Sequence, residues 1–187
     1  MKKEIEIKIK LRKGETDILK NKLKKLGGIK IKSEKETTYG FFTEDDSSIE
    51  KGIFPRIKSI NKGKSSLLTV KVKTKEDKDY FRRNEFEITI NDINTARDMI
   101  KAMGFSKERI FEKLRESWLT DNSSVTINFD TLLFGEYFEI ESDPQKIETW
   151  LKKLNLEKRE KIAKAYLGIF DDWRKKNNIR DENAILK

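Results

Sequence analysis

The first predicted strand alternates strictly between apolar and charged side chains. In residues 4–11 (EIEIKIKL) one face of an extended chain carries Ile and Leu, and the other carries Glu and Lys, because successive side chains of a strand point to opposite sides. The same period predicts strands at 4–11, 29–42 with a break, 53–60, 66–74, 80–90, 108–119, 124–131 and 136–142. Turn signals at 61–65 (NKGKS) and 120–124 (TDNSS) favour hairpins between antiparallel neighbours.

Four segments show the apolar spacing of helices. They are residues 16–26, residues 92–103, a segment that begins at Ser142 or Asp143 and ends at 154, and residues 157–176. Each carries an apolar stripe that must pack on another apolar surface, and the Ile, Val and Phe face of the strands is the large surface available. We therefore predict helices packed outside the sheet, in a domain spanning 1–176. The polar segment 177–187 is predicted to be a frayed tail.

The charged face recurs in every predicted strand. Arg56 and Lys58 flank Ile57, and Glu85 and Glu87 flank Phe86. Surface strands usually carry Thr, Ser, Gln and Tyr on the face that meets water. Because the helices occupy the apolar face, the charged face must front whatever the sheet encloses. If the eight strands close into a barrel, the charges point inward.

Composition narrows the chemistry that this interior can perform. The 187 residues include no His and no Cys, which excludes thiolate chemistry, an imidazole base and the usual zinc ligands. A metal must then be held by oxygens, and carboxylate sites suit hard cations such as Mg²⁺, Mn²⁺ or Ca²⁺. No apolar run approaches a membrane span and no signal peptide opens the chain, so we expect a cytoplasmic protein without a membrane partner.

The charge balance favours an anionic ligand that also brings cations. The formal net charge is +9, yet 33 acidic residues accompany 42 basic ones. Glutamates among the basic residues disfavour nucleic acid as the partner, since a polyanion groove would exclude them. A triphosphate bridged to carboxylates by one or two divalent metal ions satisfies both signs, because basic groups bind phosphate and carboxylates bind metal.

With these residues assembled, the sequence resembles the CYTH superfamily, also called triphosphate tunnel metalloenzymes, which includes thiamine triphosphatases, inorganic triphosphatases and class IV adenylate cyclases. The resemblance runs from residue 4 to about 166. The family motifs are matched in order by Glu4, Glu6 and Lys8; Arg56 and Lys58; Thr69 and Lys71; Arg83, Glu85 and Glu87; Lys113 and Arg115; and Glu139 and Glu141, with Asp130 in the strand before.

The resemblance implies an α+β fold built on a closed eight-stranded antiparallel tunnel, with a role for each matched residue. The implied metal ligands are Glu4, Glu6, Glu139 and Glu141, with Glu85, Glu87 and Asp130 serving a second metal or its waters. The implied substrate-binding residues are Lys8, Arg56, Lys58, Lys71, Arg83, Lys113 and Arg115, and Lys71 is also the candidate catalytic residue. Some family members pair that lysine with a tyrosine, which here would be Tyr39, unless the alternative alignment places Phe41 there. Lys73 shares the parity but matches no family motif.

Three functions remain open at this point. The first is metal-dependent hydrolysis of inorganic triphosphate, thiamine triphosphate or a nucleoside triphosphate, with Mg²⁺ or Mn²⁺ as cofactor. The second is a class IV adenylate cyclase that converts ATP to cyclic AMP and diphosphate. The third is a non-catalytic module that binds polyphosphate or RNA 5′-triphosphate ends. A homodimer is compatible with each of them.

Overall fold

The computed structural model describes residues 1–74, 79–120 and 122–186. Residue 121 of the predicted 120–124 turn and residue 187 of the predicted tail lie outside these ranges. None of the described helices is long and apolar enough to cross a membrane.

Eight antiparallel strands form a closed barrel, which confirms the predicted fold class. The strands are Lys2–Lys10 (β1), Ile29–Phe42 (β2), Ile53–Ile60 (β3), Ser65–Lys73 (β4), Phe81–Thr89 (β5), Lys107–Thr120 (β6), Val125–Leu132 (β7) and Gly135–Glu141 (β8). Their order around the barrel is β1-β5-β4-β3-β2-β6-β7-β8, and pairing of β8 with β1 closes it. The lumen is therefore lined by alternate residues of every strand.

Side-chain parity sorts the residues as predicted. On β1, Ile7 and Ile9 are fully buried in an apolar cluster with α1 and α4, whereas Glu6 and Lys8 are buried on the opposite face. The apolar core thus lies between the outside of the barrel and its helices, and the charged residues lie inside. This arrangement inverts the usual sheet that turns its charged face to water.

The helices occupy three positions on the barrel. They are Glu15–Lys25 (α1), Ser47–Glu50 (α2), Ile93–Ala102 (α3), Pro144–Leu154 (α4) and Tyr166–Lys176 (α5). Helices α1 and α4 cover β1, β7 and β8, and α3 covers β2 and β3 through Phe41, Ile57 and Ile100. Helix α5 packs on Phe111 and Tyr137 and covers one end of the barrel. The single-turn α2 has too few residues to show helical periodicity, so the sequence pattern missed it.

The prediction of one helix over 157–176 is wrong in its first half, because α5 begins at Tyr166. In β1, residues up to Glu6 pair with β5 and residues from Glu6 onward pair with β8. Beyond Glu6, the backbone of β1 on the β5 side has no strand partner, and Ile162 takes that place beside Lys8. The Ile162 N–H donates to the Lys8 carbonyl at 2.8 Å, and the Ile162 carbonyl accepts from the Lys8 N–H at 3.1 Å. An open strand edge needs these bonds, so this segment is extended.

The prediction of a frayed tail is wrong for its described part. Strand β6 pairs with β7 only from Leu114 onward, which leaves an open edge before it. Ala184 fills that edge: its N–H donates to the Ile110 carbonyl and its carbonyl accepts from the Glu112 N–H, both at 2.9 Å. Ala184 is fully buried, so this residue anchors the tail to β6.

Substitution at Ala184 tests this role of the tail. We expect Ala184→Asp to lower the free energy of unfolding by about 2–4 kcal/mol, because it buries a carboxylate without a partner. Ile185→Asp is the matched control, since Ile185 is 42% exposed, and it should change the stability little. Urea denaturation measures both variants, and equal losses in the two would contradict the packed tail.

Candidate active site

The barrel encloses a charged cavity of about 460 Å³. Side chains from all eight strands and the beginning of α5 line it. The sequence-predicted site residues on its wall are Glu4, Glu6, Lys8, Arg56, Lys58, Lys71, Arg83, Glu85, Glu87, Lys113, Arg115, Glu139 and Glu141. The structure thus brings together in one lumen every predicted residue except Asp130.

Asp130 shares the inward face of β7 with Asn128 but is covered by residues that line the cavity. Its carboxylate accepts from Arg115 Nε at 2.6 Å and from the Tyr166 hydroxyl at 2.7 Å. Arg115 also donates to Glu139 at 2.7 Å. Asp130 is 1% exposed, because these lining residues cover its carboxylate, and its placement orients Arg115 and Tyr166.

Each lining carboxylate is paired with a lining cation. The pairs are Glu4–Lys71 at 2.5 Å, Glu6–Lys8, Glu85–Arg56 at 3.1 Å, Glu87–Lys58 at 2.9 Å, Glu139–Arg115 at 2.7 Å and Glu141–Lys2 at 2.6 Å. In the buried pairs, such as Glu6–Lys8 and Glu139–Arg115, opposite charges offset the cost of removing both groups from water, whereas Lys2 is 64% exposed. The lumen is a network of mutually neutralising ions.

Neighbouring glutamates in this network differ in acidity. Burial raises the pKa of Glu6 to about 7, and the negative charge of Glu139 adds to the effect against the pull of Lys8. Burial alone would also raise the pKa of Glu139, but the charges of Arg115 and Lys8 outweigh it and lower that pKa below its usual range. Carboxylates this close repel one another until cations compensate them.

Tyr166 contributes a protonated hydroxyl at the end of the lumen. Burial and the adjacent Asp130 carboxylate raise its pKa well above the ordinary value. Its ring faces the ammonium groups of Lys8 at 5.0 Å and Lys113 at 5.3 Å. Tyr166 therefore braces these lysines by cation–π contact and is unsuited to act as a base at neutral pH.

The donor set of the lumen fits a hard divalent cation. Glu6 and Glu141 are direct neighbours across β1 and β8, and Glu139 lies two residues from Glu141 on the same face of β8, opposite Lys8. The charged donors of the cavity are carboxylate oxygens, which hard cations prefer. Within the described ranges, no three carboxylates converge as a preassembled metal site. Lysine and arginine side chains pair with these carboxylates, so a divalent cation would bind here only if Glu4 and its neighbours gave up those partners.

The hypothesis of a catalytic tyrosine on β2 is wrong. Tyr39 lies outside the barrel against α3, where the Arg97 guanidinium sits 5.0 Å from its ring. Phe41 has the same parity and is fully buried in that outer cluster. On β2 the residue that points inward next to Glu36 is Thr38, which is 1% exposed. Lys73 is exposed and does not line the cavity.

Sequence analysis missed several residues of the lumen. Glu36 is buried and accepts from Lys113 at 3.1 Å. Arg109 lines the cavity and forms a bidentate ion pair with Asp171 of α5. Parity could have found both, because Glu36 alternates with Thr38 and Arg109 shares a face with Lys113. Tyr166 carried no such signal, since it was counted in the apolar stripe of a helix.

Comparison with known proteins identifies the family. A closed barrel with a charged lumen defines a tunnel-type β-barrel protein, and the sequence matches the CYTH domain model over residues 2–166. The chain belongs to the CYTH family, as the sequence resemblance implied. No curated protein matches the sequence significantly.

Solved structures share this fold at low sequence identity. PH1819 protein from Pyrococcus horikoshii OT3 has a TM-score of 0.73 and 23% identity, with 91% of this chain and 99% of that chain covered. PH1012 protein from the same organism has a TM-score of 0.71 and 22% identity, with 87% and 96% covered. HpAC1 from Hippeastrum has a TM-score of 0.65 and 16% identity, with 91% and 96% covered.

The Glu36–Lys113 pair gives a test of the network. Burial opposes ionisation of Glu36, but the charges of Lys113 and Arg115 outweigh it and lower its pKa below the ordinary 4.5. The stability that this carboxylate adds is therefore present above pH 4.5 and is lost as the pH falls. We expect Glu36→Gln to cost about 3 kcal/mol at pH 7, because Lys113 loses a buried partner.

Urea denaturation at a series of pH values measures this effect. The difference between wild type and Glu36→Gln should narrow as the pH falls below about 4.5, where the wild-type carboxylate begins to lose its advantage. Glu50→Gln, at an exposed position, should match wild type throughout. A pH-independent difference would show that the pair does not act through charge.

Proposed function

We propose that this protein hydrolyses a triphosphate in its lumen with Mg²⁺ or Mn²⁺ as cofactor. The observation that carries the proposal is the burial of both charge signs in one cavity: Lys8, Lys113 and Glu139 are each at most 5% exposed there. Such a set is suited to a ligand that brings anionic oxygens and a cation together.

The basic residues of the lumen would bind the phosphates. Arg56, Lys58, Arg83, Lys113 and Arg115 all reach the cavity, and Lys8 lies beside them. Guanidinium groups can engage two phosphate oxygens at once, whereas lysines act as point charges. The phosphate oxygens would take the positions that the carboxylates now occupy, so binding exchanges one set of anionic partners for another.

The carboxylates released by this exchange would bind the metal. Glu4, Glu6, Glu139 and Glu141 would be the main ligands, with Glu85 and Glu87 serving a second metal or its waters. Asp130, predicted with that second group, is better placed to orient Arg115. A bound divalent ion would neutralise phosphate charge and orient the attacking water.

Positioning and charge neutralisation must supply most of the rate enhancement, since the chain has no His or Cys. Lys71 is the candidate catalytic residue. Its ammonium now donates to both Glu4 oxygens at 2.5 and 2.6 Å and lies 3.7 Å from Glu85. With Glu4 as a metal ligand, Lys71 would be available to bind the phosphoryl group under attack and would stabilise its developing charge.

A relative of the same fold supports hydrolysis as the first choice. HpAC1 carries an adenylyl cyclase name, and a dominant triphosphatase activity is described for it. Cyclisation of ATP to cyclic AMP would use the same lumen residues with attack at the α-phosphate. Because hydrolysis and cyclisation would use the same residues, only the identity of the product distinguishes them.

The proposed function is tested by product analysis with Mg²⁺ or Mn²⁺. We expect release of phosphate from inorganic triphosphate or from a triphosphate ester, abolition of turnover by EDTA, and a loss of at least about 100-fold in Glu4→Gln and Glu141→Gln, because each removes a metal ligand. Glu157→Gln, at an exposed position, is the control. Thermal unfolding checks that the variants remain folded.

Three results would contradict the proposal. Cyclic AMP without free phosphate would identify a cyclase instead. Tight binding of triphosphates with no turnover under any divalent metal would identify a binding module. Near-normal activity in both glutamate variants would show that the metal site lies elsewhere.

A further inference from the structure

The outer face of β4 and β5 is apolar, yet no described helix packs on it. Lys71 and Glu85 point into the lumen, so the alternate side chains of these two strands point outward. Phe86 is 48% exposed and Ile88 is 61% exposed. The outward apolar residues that belong to none of the clusters under the described helices form what we call the β4–β5 face: Val70, Val72, Phe86 and Ile88.

Another part of the barrel surface shows how this chain exposes a sheet to water. On the outer face of β2 and β6, Glu112 pairs with Lys35 at 2.9 Å and Glu116 pairs with Lys30 at 2.6 Å. These ion pairs lie on both sides of Leu114, which is 49% exposed. The β4–β5 face is similarly exposed but consists of uncharged apolar side chains, which is typical of a surface that another molecule covers.

The β4–β5 face is broad enough to be the centre of a protein interface. Val70 pairs directly with Phe86 across the two strands, so the apolar side chains form one continuous surface. Two neighbouring strands of nine residues each cover about 300 Å², which is the size of a functional apolar patch. Residues on both sides of this face would bring the contact to the roughly 800 Å² that each partner buries in a standard interface.

The two sides of the β4–β5 face carry opposite charges. Lys3 of β1 is exposed on one side, and Asp98 of α3 is exposed on the other. The two cations near Asp98 on that helix, Arg97 and Lys101, are held by Glu108 of β6. A cation on one border and a carboxylate on the other match a second copy of the same surface, whereas the carboxylate disfavours an anionic membrane.

We propose that the β4–β5 face binds a second copy of this chain in a two-fold symmetric dimer. A two-fold axis parallel to the strands places the Lys3 side of each copy against the Asp98 side of the other. The apolar side chains would pack sheet on sheet, with the two sheets about 10 Å apart. The face itself is uncharged, so the contact brings no cations together although each chain has a net charge of +9. The dimer is independent of the function proposed for the lumen.

Sedimentation velocity of the full chain tests the dimer. We expect wild type to sediment as a dimer of the 22.1 kDa chain. Phe86→Asp should sediment as a monomer, with a dissociation constant raised at least about 100-fold, because it would bury two carboxylates in an apolar contact. Leu114→Asp is the matched control, since Leu114 is 49% exposed on a different outer face, and it should remain a dimer. Thermal unfolding checks that both variants are folded.

The chain has no Cys, which allows a second and direct measurement. Ile88→Cys places an exposed thiol on the β4–β5 face, and Leu114→Cys places one outside it. A bismaleimide that spans about 10 Å, the distance between packed sheets, should link two Ile88→Cys chains much faster than two Leu114→Cys chains. This readout does not depend on a variant that disrupts the dimer.

Several results would overturn the dimer. Wild type that stays monomeric up to about 100 µM would exclude it, because an interface of standard size binds more tightly. If Phe86→Asp sediments as the wild-type dimer does, or if Leu114→Cys is linked as fast as Ile88→Cys, the contact lies elsewhere. A monomeric chain that needs Phe86 to bind vesicles containing phosphatidylserine would assign the face to a membrane surface instead.

Discussion

The structure depends on the compensation of opposite charges inside a closed barrel. Glu4 and Lys71, or Glu139 and Arg115, share a lumen that is largely shielded from water. Each ion alone would be costly to bury, and removal of one partner leaves the other without compensation. The ion pairs offset the cost of burying these charges, and the same groups are those that a metal-bound triphosphate would engage.

Closure of the barrel makes this arrangement geometrically feasible. Strand alternation sends apolar side chains outward to the helices and charged ones inward, and a closed sheet has no edge at which the two faces meet. Two strand edges remain locally open, and extended segments fill them at Ile162 and Ala184. Helix α5 then covers one end of the lumen, where the wall changes from charged to aromatic.

The sequence predicted the barrel and its charged lumen because both follow from a period of two repeated in eight strands. It could not predict features that depend on tertiary neighbours. Ile162 and Ala184 lie in polar segments, and only the open edges of β1 and β6 explain their pairing. Tyr39 was misplaced because both alignments of residues 36–42 put odd-numbered residues inward, whereas α3 packs on that face and makes it the outer one. The pairing of Glu36 with Lys113 was missed because that parity turned Glu36 outward.

The most direct test of the claim that a metal-bound polyanion compensates both charge signs in the lumen is the effect of Mg²⁺ on polyanion affinity. Calorimetric titration of bis(methylene)triphosphonate with and without saturating Mg²⁺ measures it. If the cation releases carboxylates from the basic residues, we predict that the triphosphonate binds at least about 10-fold more tightly with Mg²⁺, and that Mg²⁺ affinity rises by the same factor with the triphosphonate present. Equal triphosphonate affinity in the presence and absence of Mg²⁺ would contradict the claim that a metal-bound polyanion reconciles the two charge signs in the lumen.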